Sequence, residues 1–392
     1  METLFVGIDF GSMNTGIAAS NGFRRVIPTE VGWPKDAIAQ EWLGKSCVFA
    51  EELDEHRPAL RTIRPFANGA LKYAPVSGEA AAAEATAESV MAATQVIRHA
   101  IEMVKRTAHA QVRGVVGVPA QASLKNKQLL LDICEQAMDT VVLVPEPFAI
   151  GYGLGGHRQS LIVDIGAGTT DLCHYFGAMP GPSDLVTIGR GGDWIDEDFR
   201  QRVLAAHDNV LLSPKVARLI KEKYGFVGDV TEPILVRLPV RGGEPQTFDV
   251  TEPLRDACTV LANEVLAGIL TLLDQVSPDY HASLLESTLL AGGGSRLHGF
   301  DNWLEARLSD YGKANVRPIP DSCFSGANGA LQLAMHLPEA GWIALQRKDH
   351  GDAVATVEHG EDEPQVIAGR IHPHLAEQGQ EKAAAPGKRA AV

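Results

Sequence analysis

Asp9 and Asp164 each end an apolar run, and each is followed by glycine and small or hydroxylated residues. The two stretches read Val6-Gly7-Ile8-Asp9-Phe10-Gly11-Ser12-Met13-Asn14-Thr15 and Ile162-Val163-Asp164-Ile165-Gly166-Ala167-Gly168-Thr169-Thr170-Asp171. A strand that turns through glycine into a tight hairpin lets backbone N–H groups approach an anion closely. One such hairpin is an ordinary turn. Two, at corresponding places in similar halves, predict a nucleotide held between the halves with a loop on either side of its phosphates. Gly11, Ser12, Met13 and Asn14, with Gly166, Ala167, Gly168 and Thr169, are the candidate phosphate donors, and Thr169 and Thr170 add hydroxyls. Carboxylates at Asp9 and Asp164 can hold Mg²⁺ through the metal's retained waters, because this ion dehydrates reluctantly. Alone, either aspartate would as readily cap a turn; the pairing favours metal and phosphate work. The sequence contains no G-x-x-x-x-G-K-[ST], so a P-loop is excluded as a motif.

The remaining composition bounds the answer. A chain of 392 residues with 45% hydrophobic content suits two domains with filled cores. Its net charge of −14 argues against non-specific nucleic-acid binding, which depends on clustered Lys and Arg. The 5 cysteines stand singly at 47, 134, 173, 258 and 323, which suits reduced thiols better than a disulfide framework or a zinc site. The histidines form no ligand-spaced set. No leader is expected before Leu4, and no transmembrane segment is expected from the hydropathy pattern.

Elements able to position the hairpins follow from periodicity. The first half is expected over 1–155, with an irregular inserted subdomain over about 30–75. A helix is expected over 86–110, a strand at Gly114–Val118 stopped by Pro119, and a helix from Ser123 to Met138. That helix should bury Leu124, Leu131, Cys134 and Met138. Val141–Val144 reads as a core strand ending at Pro145-Glu146-Pro147. The second half is expected over 156–346, with an inserted subdomain over about 190–255. It should contain a helix over 213–224 capped by Ser213, a hairpin over 234–250, a long helix over 252–276 and a strand ending in Gly292-Gly293-Gly294-Ser295. A last helix over 325–346 should pack back on the first half, and 347–392 reads as a disordered polar tail. Strands alternating with helices give an α/β fold.

In this order the motifs carry a family resemblance. The chain resembles the bacterial actins of the MreB type, most of all their magnetosome-organising branch, over roughly residues 4–345. The resemblance rests on both hairpins, on Gly117-Val118-Pro119-Ala120 with Glu146-Pro147-Phe148, on Lys221-Glu222-Lys223, and on Gly292-Gly293-Gly294-Ser295-Arg296. It implies an actin-like, duplicated RNase H-like ATPase fold with two domains flanking a nucleotide cleft, and ATP with Mg²⁺ as ligands. Glu146 alone would read as a solvated turn residue; the resemblance makes it the catalytic group that positions the attacking water, with Asp164 as its metal-holding companion. Lys221 and Glu222 would flank base and ribose, although a Lys-Glu-Lys run is usually a solvated face. Gly292, Gly293, Gly294 and Arg296 would lie at the adenine. Asp193 is expected to cap the helix after Gly191-Gly192, with a contact to the ribose as the alternative, and Asp171 to order the second hairpin. The function implied is a cytoplasmic, ATP-hydrolysing filament that positions magnetosome organelles through self-association and organelle- or membrane-associated adaptor proteins. An MreB-like cell-shape filament, an ATP-binding scaffold of the FtsA or pilus-assembly type, or a sugar kinase of the same superfamily are the alternatives. A heat-shock chaperone would need a β-rich peptide-binding domain that no part of this sequence resembles.

Overall fold

A computed structural model of the protein describes residues 3–66, 81–105, 107, 109–155, 159–347, 355–356 and 366–367. The first hairpin is β1 (Thr3–Phe10) and β2 (Asn14–Ala19), followed by β3 (Arg24–Pro28). A small two-stranded sheet, β4 (Val31–Pro34) with β5 (Leu60–Ile63), encloses helices α1 (Ala37–Leu43) and α2 (Glu51–His56). Residues 31–63 of the stretch expected to be irregular thus form a structured subdomain with its own small core of Val48, Leu53 and Leu60, and its end over 67–75 lies outside the described residues. Short amphipathic segments with Trp and Pro gave no clear period; pairing between β4 and β5, far apart in sequence, creates the order. Helix α3 (Ala81–Val104), β6 (Gln111–Val118), α4 (Leu124–Cys134), β7 (Thr140–Pro145) and α5 (Glu146–Gly153) complete this half.

The second half opens with β8 (Ser160–Ile165), β9 (Thr170–Tyr175) and β10 (Leu185–Ile188). Helices α6 (Gly192–Ala206) and α7 (Pro214–Tyr224), hairpin β11 (Leu235–Val240) with β12 (Gly243–Asp249), and helix α8 (Thr251–Asp274) follow. The chain continues through α9 (His281–Leu285), β13 (Thr288–Ala291), α10 (Phe300–Leu308), β14 (Val316–Pro318), α11 (Ser325–His336) and α12 (Glu339–Arg347). The two main sheets have the same order, β3-β2-β1-β6-β7 and β10-β9-β8-β13-β14. In each, a meander of antiparallel strands continues into parallel strands reached by crossovers. The duplication visible in two hairpins is therefore a duplication of whole sheets.

Local chemistry explains most element ends. Ser123 caps α4 by accepting from the Asn126 N–H at 3.1 Å, and Ser213 caps α7 by accepting from Val216 at 3.3 Å, with Pro214 in the first turn. Leu131, Cys134 and Met138 are buried as expected, but Leu124 is 65% exposed: it lies in the first helical turn, outside the apolar stripe. Helix α8 is long and apolar enough to span a membrane by length and composition, yet Leu254, Leu261, Val265, Ile269 and Leu272 are buried in the core of the second half. The single closing helix expected over 325–346 is two, α11 and α12, divided at Leu337-Pro338 because proline disfavours a helical residue before it. The expected tail falls mostly outside the described residues; Ala355–Thr356 and Val366–Ile367 form a short antiparallel pair.

Helix α11, from the second half of the chain, packs back on β1 and α5 of the first, and its contact face is made of Gly326, Ala327, Gly329, Ala330 and Ala334. A Cβ on Gly329 would overlap the Ala149 carbonyl of α5, and one on Gly7 of β1 would overlap the Leu331 backbone. A Cβ on Gly153 would stand 2.8 Å from the Gly329 Cα. Backbone therefore packs on backbone, with no flexible side chain able to yield. We expect Gly329→Val to lower the urea midpoint by an amount equivalent to about 3 kcal/mol. Gly341→Ala, where the nearest atom is Pro338 Cγ at 3.8 Å, should instead be neutral or stabilising by up to ~1 kcal/mol. An unchanged midpoint for Gly329→Val would refute the close seam.

Candidate functional site in the interdomain cleft

The hairpins stand where the parallel strands of each sheet end. Asp9 pairs with Gly16 of β2 on one side and with Gly117 of β6 on the other, while Asp164 pairs with Asp171 of β9 and Ala291 of β13. Each carboxylate also lies against a glycine that opens a helical turn. A Cβ on Gly326 would stand 2.7 Å from Asp9 Oδ2, and one on Gly292 would stand 2.5 Å from Asp164 Oδ1. Ends of parallel strands beside helix starts are where α/β folds place ligands. Among the described residues no group of three or more His, Cys, Asp or Glu forms a metal cage. Asp9 and Asp164 suit a hard ion that keeps most of its waters.

The hairpin backbones are held from behind. The Gly11 carbonyl accepts from the Thr29 hydroxyl at 2.8 Å, the Met13 carbonyl accepts from the Thr29 N–H at 2.9 Å, and the Ser12 carbonyl accepts from Arg64 at 3.2 Å. In the second hairpin, the Gly166 and Ala167 carbonyls accept from the N–H groups of Gly192 at 3.0 Å and Asp193 at 2.8 Å. The C=O and N–H of a planar trans peptide point in opposite directions. Engaging these carbonyls turns the N–H groups of Ser12, Met13, Asn14, Ala167 and Gly168 away from the supporting residues. The Thr169 hydroxyl donates to Asp171 at 2.9 Å and the Thr170 hydroxyl to the Arg190 carbonyl at 2.9 Å, so both brace the second hairpin.

Glu146 is the first residue of α5, with Pro145 before it and Pro147 after it. Both prolines restrict the backbone, and the side chain is buried. It packs over the strand next to β1, since a Cβ on Gly117 would stand 3.1 Å from Glu146 Cγ. Asp171 is the carboxylate that feels its charge. Asp171 accepts from the Ala120 N–H at 2.8 Å, from the Thr187 hydroxyl at 2.6 Å and from Thr169, and so ties the loop after β6 to the second sheet. Gln121 strengthens that tie by donating to the Leu185 carbonyl at 2.9 Å. Complete burial, reinforced by the Glu146 carboxylate, pushes the Asp171 pKa up to about 7 against those hydrogen bonds.

The remaining expected residues are distributed less simply. Lys221 donates to the Gly192 carbonyl at 2.9 Å and pairs with Asp196 at 2.8 Å, which fixes α7 to the start of α6. Burial raises the Asp196 pKa to about 6 although Lys221 opposes it. Glu222 is more exposed and lies 3.7 Å from Arg218. Gly292, at φ 73°, and Gly294 both run against Ile165 of β8, Gly293 is open, and Arg296 reaches Cys323 Sγ at 2.9 Å. Asp193 does not cap α6. Its carboxylate instead pairs with Arg64 at 2.8 Å, and the N-cap residue is Gly191, which has no side chain to do so. Arg64 escaped the sequence reading because it follows β5 in the inserted subdomain, and nothing local marks a partner so distant in the chain.

Two matched sheets, each carrying a braced hairpin beside an aspartate at a common cleft, define an actin-like protein. The chain belongs to the MreB/Mbl family, whose model matches residues 83–336. It is 36% identical over 342 residues to the actin-like protein MamK of Paramagnetospirillum magneticum, a match covering 87% of this chain and 95% of that protein. A MamK double helical filament superposes with a TM-score of 0.79 at 35% identity, covering 86% of this chain and 100% of that one. A non-polymerising MamK mutant bound to AMPPNP gives a TM-score of 0.64 at 35% identity, covering 86% and 99%.

The Asp171 shift makes a signed prediction. Folding raises its pKa from 3.8 to about 7, so the native state holds the proton more tightly than the unfolded chain. The stabilisation is complete below pH ~4 and is lost as pH rises towards and through the folded pKa. The stability of wild type minus that of Asp171→Asn, from urea titrations, should therefore fall across this range; a flat difference would contradict the assignment.

Proposed function

We propose that this chain binds ATP with Mg²⁺ between its halves, hydrolyses it slowly, and polymerises into cytoplasmic filaments that organise magnetosomes. The observation that carries this reading is the pair of hairpins with their carbonyls engaged from behind and their amides turned the other way. That arrangement suits phosphates held from both sides. The AMPPNP bound by the MamK mutant and the filament formed by MamK support extending it to an adenine nucleotide and to self-association. Residues 1–155 and 156–346 would be the two halves, and organelle- or membrane-associated adaptors would attach the polymer to its cargo.

In this reading Gly11, Ser12, Met13 and Asn14, with Ala167, Gly168 and Thr169, hold the phosphates, while Gly166 closes the second hairpin by donating its N–H to the Thr169 carbonyl at 2.9 Å. Asp9 and Asp164 hold Mg²⁺ through water, and the ion supplies charge neutralisation. Glu146, rigid between two prolines, orients the attacking water. Phosphoryl transfer requires mainly positioning and charge stabilisation, which such a site can provide. Gly292, Gly293, Gly294 and Arg296 would border the adenine. Lys221 would act there through its support of α6, and Glu222 at the rim. Nucleotide bound to both hairpins would favour one angle between the halves, and that angle would decide how well subunits stack.

Pelleting and electron microscopy with ATP–Mg²⁺, with ADP and without nucleotide test the proposal. Wild type should assemble with ATP. Glu146→Ala should assemble too, release phosphate about a hundredfold more slowly, and disassemble later. A protein that stays monomeric under every condition at micromolar concentration would refute the filament; an undiminished phosphate release by the variant would remove Glu146 from its role.

A further inference from the structure

The two halves meet above the hairpins, where Arg218 donates to Met13 Sδ at 3.0 Å and a second arginine bridges a carboxylate and a backbone carbonyl. On the first-half side, Phe66 packs edge-on against Phe10 with ring centroids 4.6 Å apart and is fully buried. Phe10 is the last residue of β1 before the hairpin, so the segment carrying Arg64 is fixed to that hairpin. On the other side, a Cβ on Gly191 would stand 2.5 Å from the Gly166 carbonyl and 2.7 Å from that of Ala167. The start of α6, and Asp193 with it, is therefore fixed to the second hairpin. Arg64 spans the gap: one of its terminal nitrogens, Nη2, lies 3.2 Å from the Ser12 carbonyl and 2.8 Å from Asp193 Oδ2. The side chains are only 25% and 11% exposed, so the pair is shielded from solvent.

The geometry points to Arg64–Asp193 as a clamp that couples the two phosphate hairpins and retains nucleotide in the cleft. Such a clamp rests on the nucleotide site proposed above. Arg64 is a positioning residue here, acting through Ser12 and Asp193. Opening the cleft must separate the pair and so loses the ion pair and the Arg64–Ser12 hydrogen bond together. Loss of one member of such a pair acts chiefly on dissociation. The Lys215–Asp54 pair also links the upper parts of the two halves at 3.1 Å, but both side chains are more than half exposed, and it should contribute little.

The test is the dissociation rate of a fluorescent ATP analogue with Mg²⁺ from the full-length protein. Arg64→Asp and Asp193→Arg should each release it about tenfold faster. The double exchange should return the rate to within about threefold of wild type, and Lys215→Ala should leave it unchanged. Rescue by exchange is the readout that a purely structural role of either residue would not give. If a reversal does not fold, Arg64→Gln and Asp193→Asn should each accelerate release in the same direction. Wild type that fails to bind the analogue would refute the nucleotide site itself. Normal binding by wild type with unchanged release from the single variants would overturn the clamp, as would singles that accelerate release without rescue by the exchange.

Discussion

The close packing of α11, a helix of the second half, on β1 and α5 of the first is the constraint on which the rest depends. A helix can approach a strand and another helix this closely only where side chains are absent, and Gly7, Gly153, Gly326 and Gly329 supply that absence. The same seam brings Gly326 against the Asp9 carboxylate, so the packing of the halves and the placement of a metal-competent aspartate are one arrangement. A well-packed interior does not deform continuously. Movement of the halves about such a seam would be a rotation between bodies rather than a bending within them.

The site is organised by support from outside it. Thr29, Arg64 and the start of α6 take up hairpin carbonyls, and the amide edges are oriented as a consequence. Asp171 acts similarly lower in the cleft by collecting the Ala120 amide and the Thr169 and Thr187 hydroxyls. The consequence is a second carboxyl group close to Glu146 in a buried place, which adds to the raised affinity of Asp171 for a proton. Lys221 resembles Arg64 in function: it holds α6, and α6 holds the second hairpin.

Legibility differed between kinds of information. Strands that run to a single aspartate, helices with Ser caps and the broken hairpin near Gly242 could be read because their signals are local. The inserted subdomain looked irregular because its strands pair across α1 and α2, and Leu124 was misplaced because periodicity does not say where a helix enters solvent. Asp193 was expected to cap α6, a local role, and was instead claimed by an arginine from the other half.

By itself the sequence determined the duplicated hairpins, the core strands that lead into them and the serine-capped helices. These are matters of allowed backbone conformation and apolar spacing, written residue by residue. Tertiary structure alone decided which residues join the halves. Arg64 with Asp193, Ala120 with Asp171 and Gly153 with Gly329 are contacts between segments remote in the chain. Their pairing depends on how the two sheets are set against each other, and no local pattern of residues encodes that distance.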